Sequence, residues 1–231
     1  MPLSSLPVVE PLHLADVTLP AGHPLAGQGC PVLAFVIRHS QGAIVVDTGV
    51  GGHHAIEKAY RPTRRSLSEA LADIGLRREE VAAVVNTHLH FDHCGENALF
   101  PSVPIYVQRR EYQAARQPRY TVTEYVDAPG LAYEQVDGGR EIVEGIRLIP
   151  TPGHTPGHQS VLVEGGGQRA VIAGQAIYSA REYATPTEAT GAAGAWDVDL
   201  YGASAAHLRE LQPTKVYFSH DRAIWSVGGG E

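Results

Sequence analysis

The chain has 231 residues, of which 43% are hydrophobic and 19% charged, and this composition predicts one compact globular domain over residues 1–231. Two cysteines are too few for the disulfide framework of a secreted protein and indicate a reducing compartment. A formal net charge of -7 argues against binding to nucleic acid or to an anionic membrane surface. The N-terminal segment lacks the basic and apolar regions of a signal peptide, so we expect a cytoplasmic protein.

The first half of the chain predicts a hairpin followed by a helix. Two β-branched runs at 32–39 and 43–47 are joined by a short polar turn and predict paired strands. Ser66 and Glu69 have the spacing of a capping box, and Gly75 supplies a stop signal. The pattern therefore predicts a helix between Ser66 and Gly75.

The second half is predicted to be mostly β-structure, and the six predicted strands are 104–107, 133–136, 142–149, 159–164, 170–174 and 215–219. The glycines at 165–167 fit a loose dinucleotide-binding pattern, but strands flank them on both sides, so we interpret them as a hairpin turn. A helix is predicted at 199–211. Residues 180–198 lack apolar periodicity and predict a long loop that lines a pocket.

A cluster of potential metal ligands follows the predicted strand 81–86. His88, His90, Asp92 and His93 lie within six positions of one another. In an extended chain His88, His90 and Asp92 project to one side, and a helix that starts near Gly95 turns His93 toward the same cavity. Several imidazoles and a carboxylate in one place need compensation by a cation, so the cluster predicts a metal site.

Two further histidines lie where strands are predicted to end. His154 occurs in a turn rich in Pro and Gly, the kind of rigid loop that holds a ligand, and His220 follows the last predicted strand. His158 in the same turn is predicted to support a ligand, and Cys94 to be a small packed side chain. Nitrogen and oxygen donors favour zinc, and iron or manganese are compatible with them.

Five motifs, taken in chain order, resemble those of the metallo-β-lactamase superfamily and extend over nearly the whole chain. The matching motifs are Val46-Asp47-Thr48-Gly49, His88-Leu89-His90-Phe91-Asp92-His93, Pro152-Gly153-His154-Thr155-Pro156-Gly157-His158, Gly174-Gln175 and Ser219-His220. The resemblance implies an α+β fold, a four-layer αββα sandwich in which two facing sheets carry the metal site at one edge.

The resemblance also implies two groups of metal ligands. The first group is His88, His90 and His154, and the second is Asp92, His93 and His220. Asp47 is implied to be a buried carboxylate that orients the ligand loop. Gln175 stands where most members with two metals have a bridging Asp, and a neutral amide bridges poorly. We therefore expect one or two zinc ions, bound with unequal affinity.

The implied reaction is hydrolysis by a zinc-bound hydroxide, with Asp92 accepting a proton and returning it to the leaving group. The motifs, and Tyr178 three positions after Gln175, are most similar to the branch of N-acyl homoserine lactonases and pyridoxolactonases. We therefore expect the opening of a small lactone or related ester, with a hydrogen bond donated by Tyr178. The alternatives are a β-lactamase-like or thioester hydrolase of the same fold, and a catalytically weak metal-binding member.

Overall fold

The computed structural model describes residues 5–228, and within this range the chain forms two β-sheets with helices on their outer faces. The strands are β1 (Val8–Thr18), β2 (Gly29–Arg38), β3 (Ala43–Val46), β4 (Thr63–Arg64), β5 (Val81–Val85), β6 (Pro104–Gln108), β7 (Ala132–Val136), β8 (Arg140–Val143), β9 (Ile146–Pro150), β10 (Gln159–Gly165), β11 (Gln168–Ile172), β12 (Lys215–Phe218) and β13 (Asp221–Ser226). The helices are α1 (His54–Tyr60), α2 (Leu67–Asp73), α3 (Arg109–Ala114), α4 (Thr123–Val126), α5 (Ala180–Ala184) and α6 (Val198–Glu210).

The two sheets face each other across one shared core. The first sheet has the order β4-β1-β2-β3-β5-β6-β7, and the second has the order β13-β12-β11-β10-β9-β8. Phe35 and Ile44 from the first sheet meet Ile146 and Val161 from the second, and all four side chains are buried. That the chain is a single domain stays a prediction, and a core shared by both sheets agrees with it.

Helices cover the outer face of each sheet. On the first sheet, Leu67 and Leu71 of α2 are buried against strand residues that include Val36. On the second sheet, Leu208 of α6 is buried in a cluster with Val216 of β12. The predicted four-layer αββα sandwich is confirmed.

The local signals for a cap and for a turn are also confirmed. The Ser66 side chain accepts a hydrogen bond from the Glu69 backbone N–H at 3.2 Å, and the Glu69 carboxylate accepts one from the Ser66 N–H at 3.1 Å. Gly166 and Gly167 join β10 to β11 with φ angles of 57° and 72°, a conformation that glycine adopts at no steric cost.

Two predictions for the second half are wrong. The strand 142–149 is a hairpin of β8 and β9, and Gly145 turns the chain between them with a φ angle of 76°. The segment 180–198 is not a continuous loop, because it contains α5 and a 3₁₀ helix at Thr190–Gly194, although Gly194 does line a cleft as predicted. Apolar periodicity could not reveal α5 because the helix has only five residues. No helix within residues 5–228 is long and apolar enough to cross a membrane.

Candidate metal centre

The ligand loop, residues 87–95, carries four candidate metal ligands; it follows the carboxyl end of β5 and folds back in a tight turn. The His93 backbone N–H donates to the His90 carbonyl oxygen at 3.0 Å, and this turn brings the buried His93 ring near Asp92 and His220. The helix predicted near Gly95 is only a short 3₁₀ helix at Asn97–Leu99, and the turn at His90, not this helix, orients His93. Gly95 instead allows two loops to touch, because a Cβ atom there would lie 2.0 Å from the backbone nitrogen of Gly51.

Three imidazoles from two loops converge at one point, which we call the first triad: His88, His90 and His154. The Nδ1 atom of His90 lies 3.1 Å from His88 Nε2 and 3.2 Å from His154 Nε2. Burial lowers the pKa of His90 to about 4 and holds the pKa of the other two well below the ordinary value. The rings are neutral at physiological pH, which is the form of histidine that binds metals.

A second triad, Asp92, His93 and His220, lies beside the first. The Asp92 Oδ2 atom is 3.7 Å from both His93 Nε2 and His220 Nε2. Burial acts to raise the pKa of Asp92, but the histidines outweigh it and lower that pKa. Burial acts to lower the pKa of His220, but Cys30 and Asp92 raise it to about 9. The ionised Asp92 carboxylate therefore favours a positive charge beside it, either a proton on His220 or a bound cation.

Asp47 lies beneath the ligand loop, completely buried. Its Oδ1 atom accepts a hydrogen bond from the Thr87 N–H at 2.7 Å, and its Oδ2 atom accepts one from the Thr87 hydroxyl at 2.7 Å. The same Oδ2 atom is 2.7 Å from His93 Nδ1, so it fixes the ring with Nε2 facing the triad. His93 Nε2 has no hydrogen-bond partner among the described residues.

His158 and Gln175 lie next to the first triad. The His158 Nε2 atom accepts a hydrogen bond from the Gln175 backbone N–H at 2.9 Å, and its Nδ1 atom lies 2.9 Å from the Thr151 hydroxyl. Both ring nitrogens of His158 therefore have partners, as a supporting residue requires. The side-chain Oε1 atom of Gln175 is buried and has no hydrogen-bond partner in the described part of the chain.

Two residues of each triad, His90 and His154 from the first and Asp92 and His220 from the second, border a cleft of about 340 Å³. The lining of this cleft also includes Leu19, Tyr60, Phe91 and Tyr178. The Tyr178 hydroxyl lies 3.0 Å from Cys30 Sγ, and its ring centroid is 5.3 Å from that of His220. Sequence reasoning missed Cys30, because 148 positions separate it from Tyr178. Cys94 lies outside this lining, is buried, and donates from its thiol to the His90 carbonyl oxygen at 3.3 Å.

Comparison with protein families gives a match between residues 27–220 and the metallo-β-lactamase superfamily. The chain belongs to this superfamily. N-acyl homoserine lactonases from a Bacillus species and from Bacillus cereus are each 31% identical over 208 residues. The matched region covers 83% of this chain and 81% of each relative.

Solved structures of this superfamily have the same fold. AiiA from Bacillus thuringiensis, in a variant with N-decanoyl-L-homoserine bound at its active site, gives a TM-score of 0.80 at 25% identity over 95% of each chain. An N-acyl homoserine lactone hydrolase with N-hexanoyl-L-homoserine at its catalytic metal centre gives a TM-score of 0.78 at 26% identity, covering 95% of this chain and 94% of that one. The family and the fold that the motifs imply are confirmed, and the roles of individual side chains stay predictions.

Proposed function

We propose that this protein is a zinc-dependent hydrolase that opens the ring of an N-acyl homoserine lactone or a similar small lactone. The observation that carries the proposal is the pair of triads at a cleft in a chain whose relatives are lactonases. The proposed ligands of one ion are His88, His90 and His154, and those of a second ion are Asp92, His93 and His220.

The residues of the two triads fit metal ions. In the first triad, neutral imidazoles direct ring nitrogens at one another across 3.1–3.2 Å, where a cation would satisfy their lone pairs. In the second triad, the buried and unpaired Nε2 atom of His93 faces the Asp92 carboxylate. Bound zinc would supply a Lewis acid and a nucleophilic water at neutral pH.

Tyr178 and Asp92 would handle the charge and the proton that the reaction moves. Burial raises the pKa of Tyr178, so its hydroxyl keeps its proton at neutral pH and can donate to a lactone oxygen as negative charge develops there. Cys30 holds that hydroxyl in the cleft at 3.0 Å. Asp92 is ionised, because neighbouring histidines lower its pKa against the effect of burial, and can accept a proton and return it to the leaving oxygen.

The apolar lining of the cleft suits the acyl part of such a substrate. The rings of Tyr60 and Phe91 are in contact at a tilt of 43°, with their centroids 4.3 Å apart, and Leu19 lines the same cleft. An apolar chain laid against these side chains would lose contact with water, which favours binding. We propose that these residues form the acyl wall.

Gln175 makes the two proposed metal sites unequal. A carboxylate at this position would add one negative charge between two divalent cations, whereas an amide adds none. Asp92 is then the one acidic ligand of the proposed set. We propose that one ion binds tightly and the second more weakly.

A panel of substrates tests the proposal against its alternatives. The purified protein, loaded with zinc, manganese or iron, is assayed on N-acyl homoserine lactones, β-lactams, thioesters and aryl esters. We expect the highest kcat/KM for the lactones, with loss of activity in His90→Ala but not in the control His207→Ala, which changes an exposed histidine on α6. A preference for β-lactams or thioesters, or no activity on any substrate, would overturn the proposal.

We also propose a cytoplasmic location. Cys30 and Cys94 are both free thiols, as a reducing compartment would keep them.

A further inference from the structure

Glu111 is a completely buried carboxylate on α3 that belongs to neither triad. Its Oε1 atom accepts a hydrogen bond from the Leu89 backbone N–H at 2.9 Å. Its Oε2 atom accepts hydrogen bonds from the Thr155 hydroxyl at 2.7 Å and from the Gly157 N–H at 3.1 Å. One side chain therefore joins the loop of His88 and His90 to the loop of His154.

Glu111 also reaches the His90 ring through Tyr120. The Tyr120 hydroxyl donates to Glu111 Oε1, and the Tyr120 ring lies against the His90 imidazole with the centroids 4.9 Å apart. His90 is thus held from two directions, by its chain neighbour Leu89 and by the ring of Tyr120. Both supports end on the same carboxylate oxygen.

The approach of the His154 loop to α3 leaves little room for adjustment. A Cβ atom on Gly157 would lie 2.1 Å from the backbone nitrogen of Glu111, so only glycine allows this contact. Leu89 is likewise fully buried, in a cluster with Val107 and Ala115. The segments that carry the first triad are packed tightly around Glu111.

A buried carboxylate is costly to keep unless several donors surround it, and a helix on the outside of a sheet does not need one. Each donor to Glu111 belongs to a segment that carries or contacts a residue of the first triad. From this arrangement we infer that Glu111 is a positioning residue that sets the geometry of the first triad, His88, His90 and His154. The inference rests on the proposed metal-dependent function and adds a residue to it.

Glu111→Gln tests the inference with little change in shape. One carboxylate oxygen becomes an NH₂ group. This group then faces either the Leu89 N–H and the Tyr120 hydroxyl, or the Thr155 hydroxyl and the Gly157 N–H. Because partners that orient metal ligands typically contribute 10–100-fold to metal affinity, we expect zinc affinity of the first triad to fall by about 10–100-fold. The measurements are a zinc titration of the chelated protein and anomalous diffraction at the zinc edge, which gives the occupancy of each triad separately.

Glu182→Gln is the matched control. Glu182 is 2% exposed and accepts hydrogen bonds from the Tyr201 hydroxyl at 2.7 Å, from the Gly191 N–H at 3.0 Å and from the Tyr178 N–H at 3.3 Å, so the comparison uses zinc binding and not turnover. The variant therefore loses a similar buried charge, and Glu182 has no hydrogen bond to the loop of His88 and His90 or to the loop of His154. We expect its zinc affinity to equal that of the wild type, even where its melting temperature falls as far as that of Glu111→Gln.

Thr155→Val removes one donor to Glu111 and is a milder variant should Glu111→Gln fail to fold. We expect a smaller loss of zinc affinity at the first triad, below about 10-fold. Wild-type zinc affinity and occupancy at the first triad, in both Glu111→Gln and Thr155→Val, would overturn the role of Glu111. Failure of the wild-type protein to bind zinc in the titration would instead refute the proposed function.

Discussion

Asp47→Asn tests what the Asp47 carboxylate contributes while the backbone conformation stays the same. Asp47 has a φ angle of 62°, in the left-handed region that Asn tolerates as well as Asp does. The substitution therefore leaves the turn intact and changes one carboxylate oxygen into an NH₂ group. That group faces the Thr87 N–H, or else the Thr87 hydroxyl and His93 Nδ1.

The magnitude follows from the less damaging of these two arrangements. If the amide oxygen keeps the Thr87 N–H, the NH₂ group faces the Thr87 hydroxyl, which can rotate to accept, and His93 Nδ1, which donates in the native arrangement. At least one buried hydrogen bond to a charged group is lost, which destabilises the fold by about 1.5–3 kcal/mol. For a chain of this length, that loss lowers the melting temperature by about 3–12 °C.

Metal binding should fall by more than the loss of stability alone explains. His93 can relieve the clash by moving its proton to Nε2, the nitrogen that faces Asp92. A proton there blocks the lone pair, so we expect zinc affinity of the second triad to fall by about 10–100-fold.

The assay for Asp47→Asn is a zinc titration together with thermal unfolding of the chelated protein. The control is Asp137→Asn, because Asp137 is a largely exposed carboxylate paired with Arg109. We expect its melting temperature and its zinc affinity to equal those of the wild type. Wild-type zinc affinity in Asp47→Asn would refute the reasoning.

Three further predictions concern other residues at or near the site. Tyr178→Phe should lower lactone turnover by roughly 10-fold or more with metal content unchanged, because a transition-state hydrogen bond is lost, and unchanged turnover would exclude that role. Gln175→Asp should tighten binding of the weaker zinc ion, because it adds a negative charge between the proposed sites. A zinc titration identical to that of the wild type would contradict this. Cys94 should resist iodoacetamide at pH 8 until the protein is unfolded, because burial raises the pKa of its thiol, and mass spectrometry that finds it alkylated in the folded protein would contradict this.

Signals that depend on neighbours in the chain could be found from the sequence. The capping box of Ser66 and Glu69 and the glycine turn at Gly166 are local, and both occur as predicted. The cluster of candidate metal ligands after β5 could also be found, because histidines and a carboxylate at this spacing are recognisable in the sequence.

Features that depend on contacts across the fold could not be predicted in this way. Glu111 lies among polar residues of the short helix α3, and only the folded chain brings Leu89 and Thr155 to it. Ser179 and Glu182 have the spacing of a helix cap, which is a local signal for α5. In the structure the Ser179 hydroxyl accepts a hydrogen bond from the Glu182 N–H at 3.1 Å. That signal lacked the apolar periodicity that identifies longer helices.

Reconstitution of the metal-free protein tests the central claim most directly. The protein is stripped with a chelator and incubated with an N-acyl homoserine lactone before and after zinc is added back, and mass spectrometry follows the gain of one water by the substrate. We expect ring opening to be lost on chelation and restored by zinc, with a change of at least roughly 100-fold. Ring opening at the same rate in the metal-free protein, or none after zinc is restored, would contradict the account.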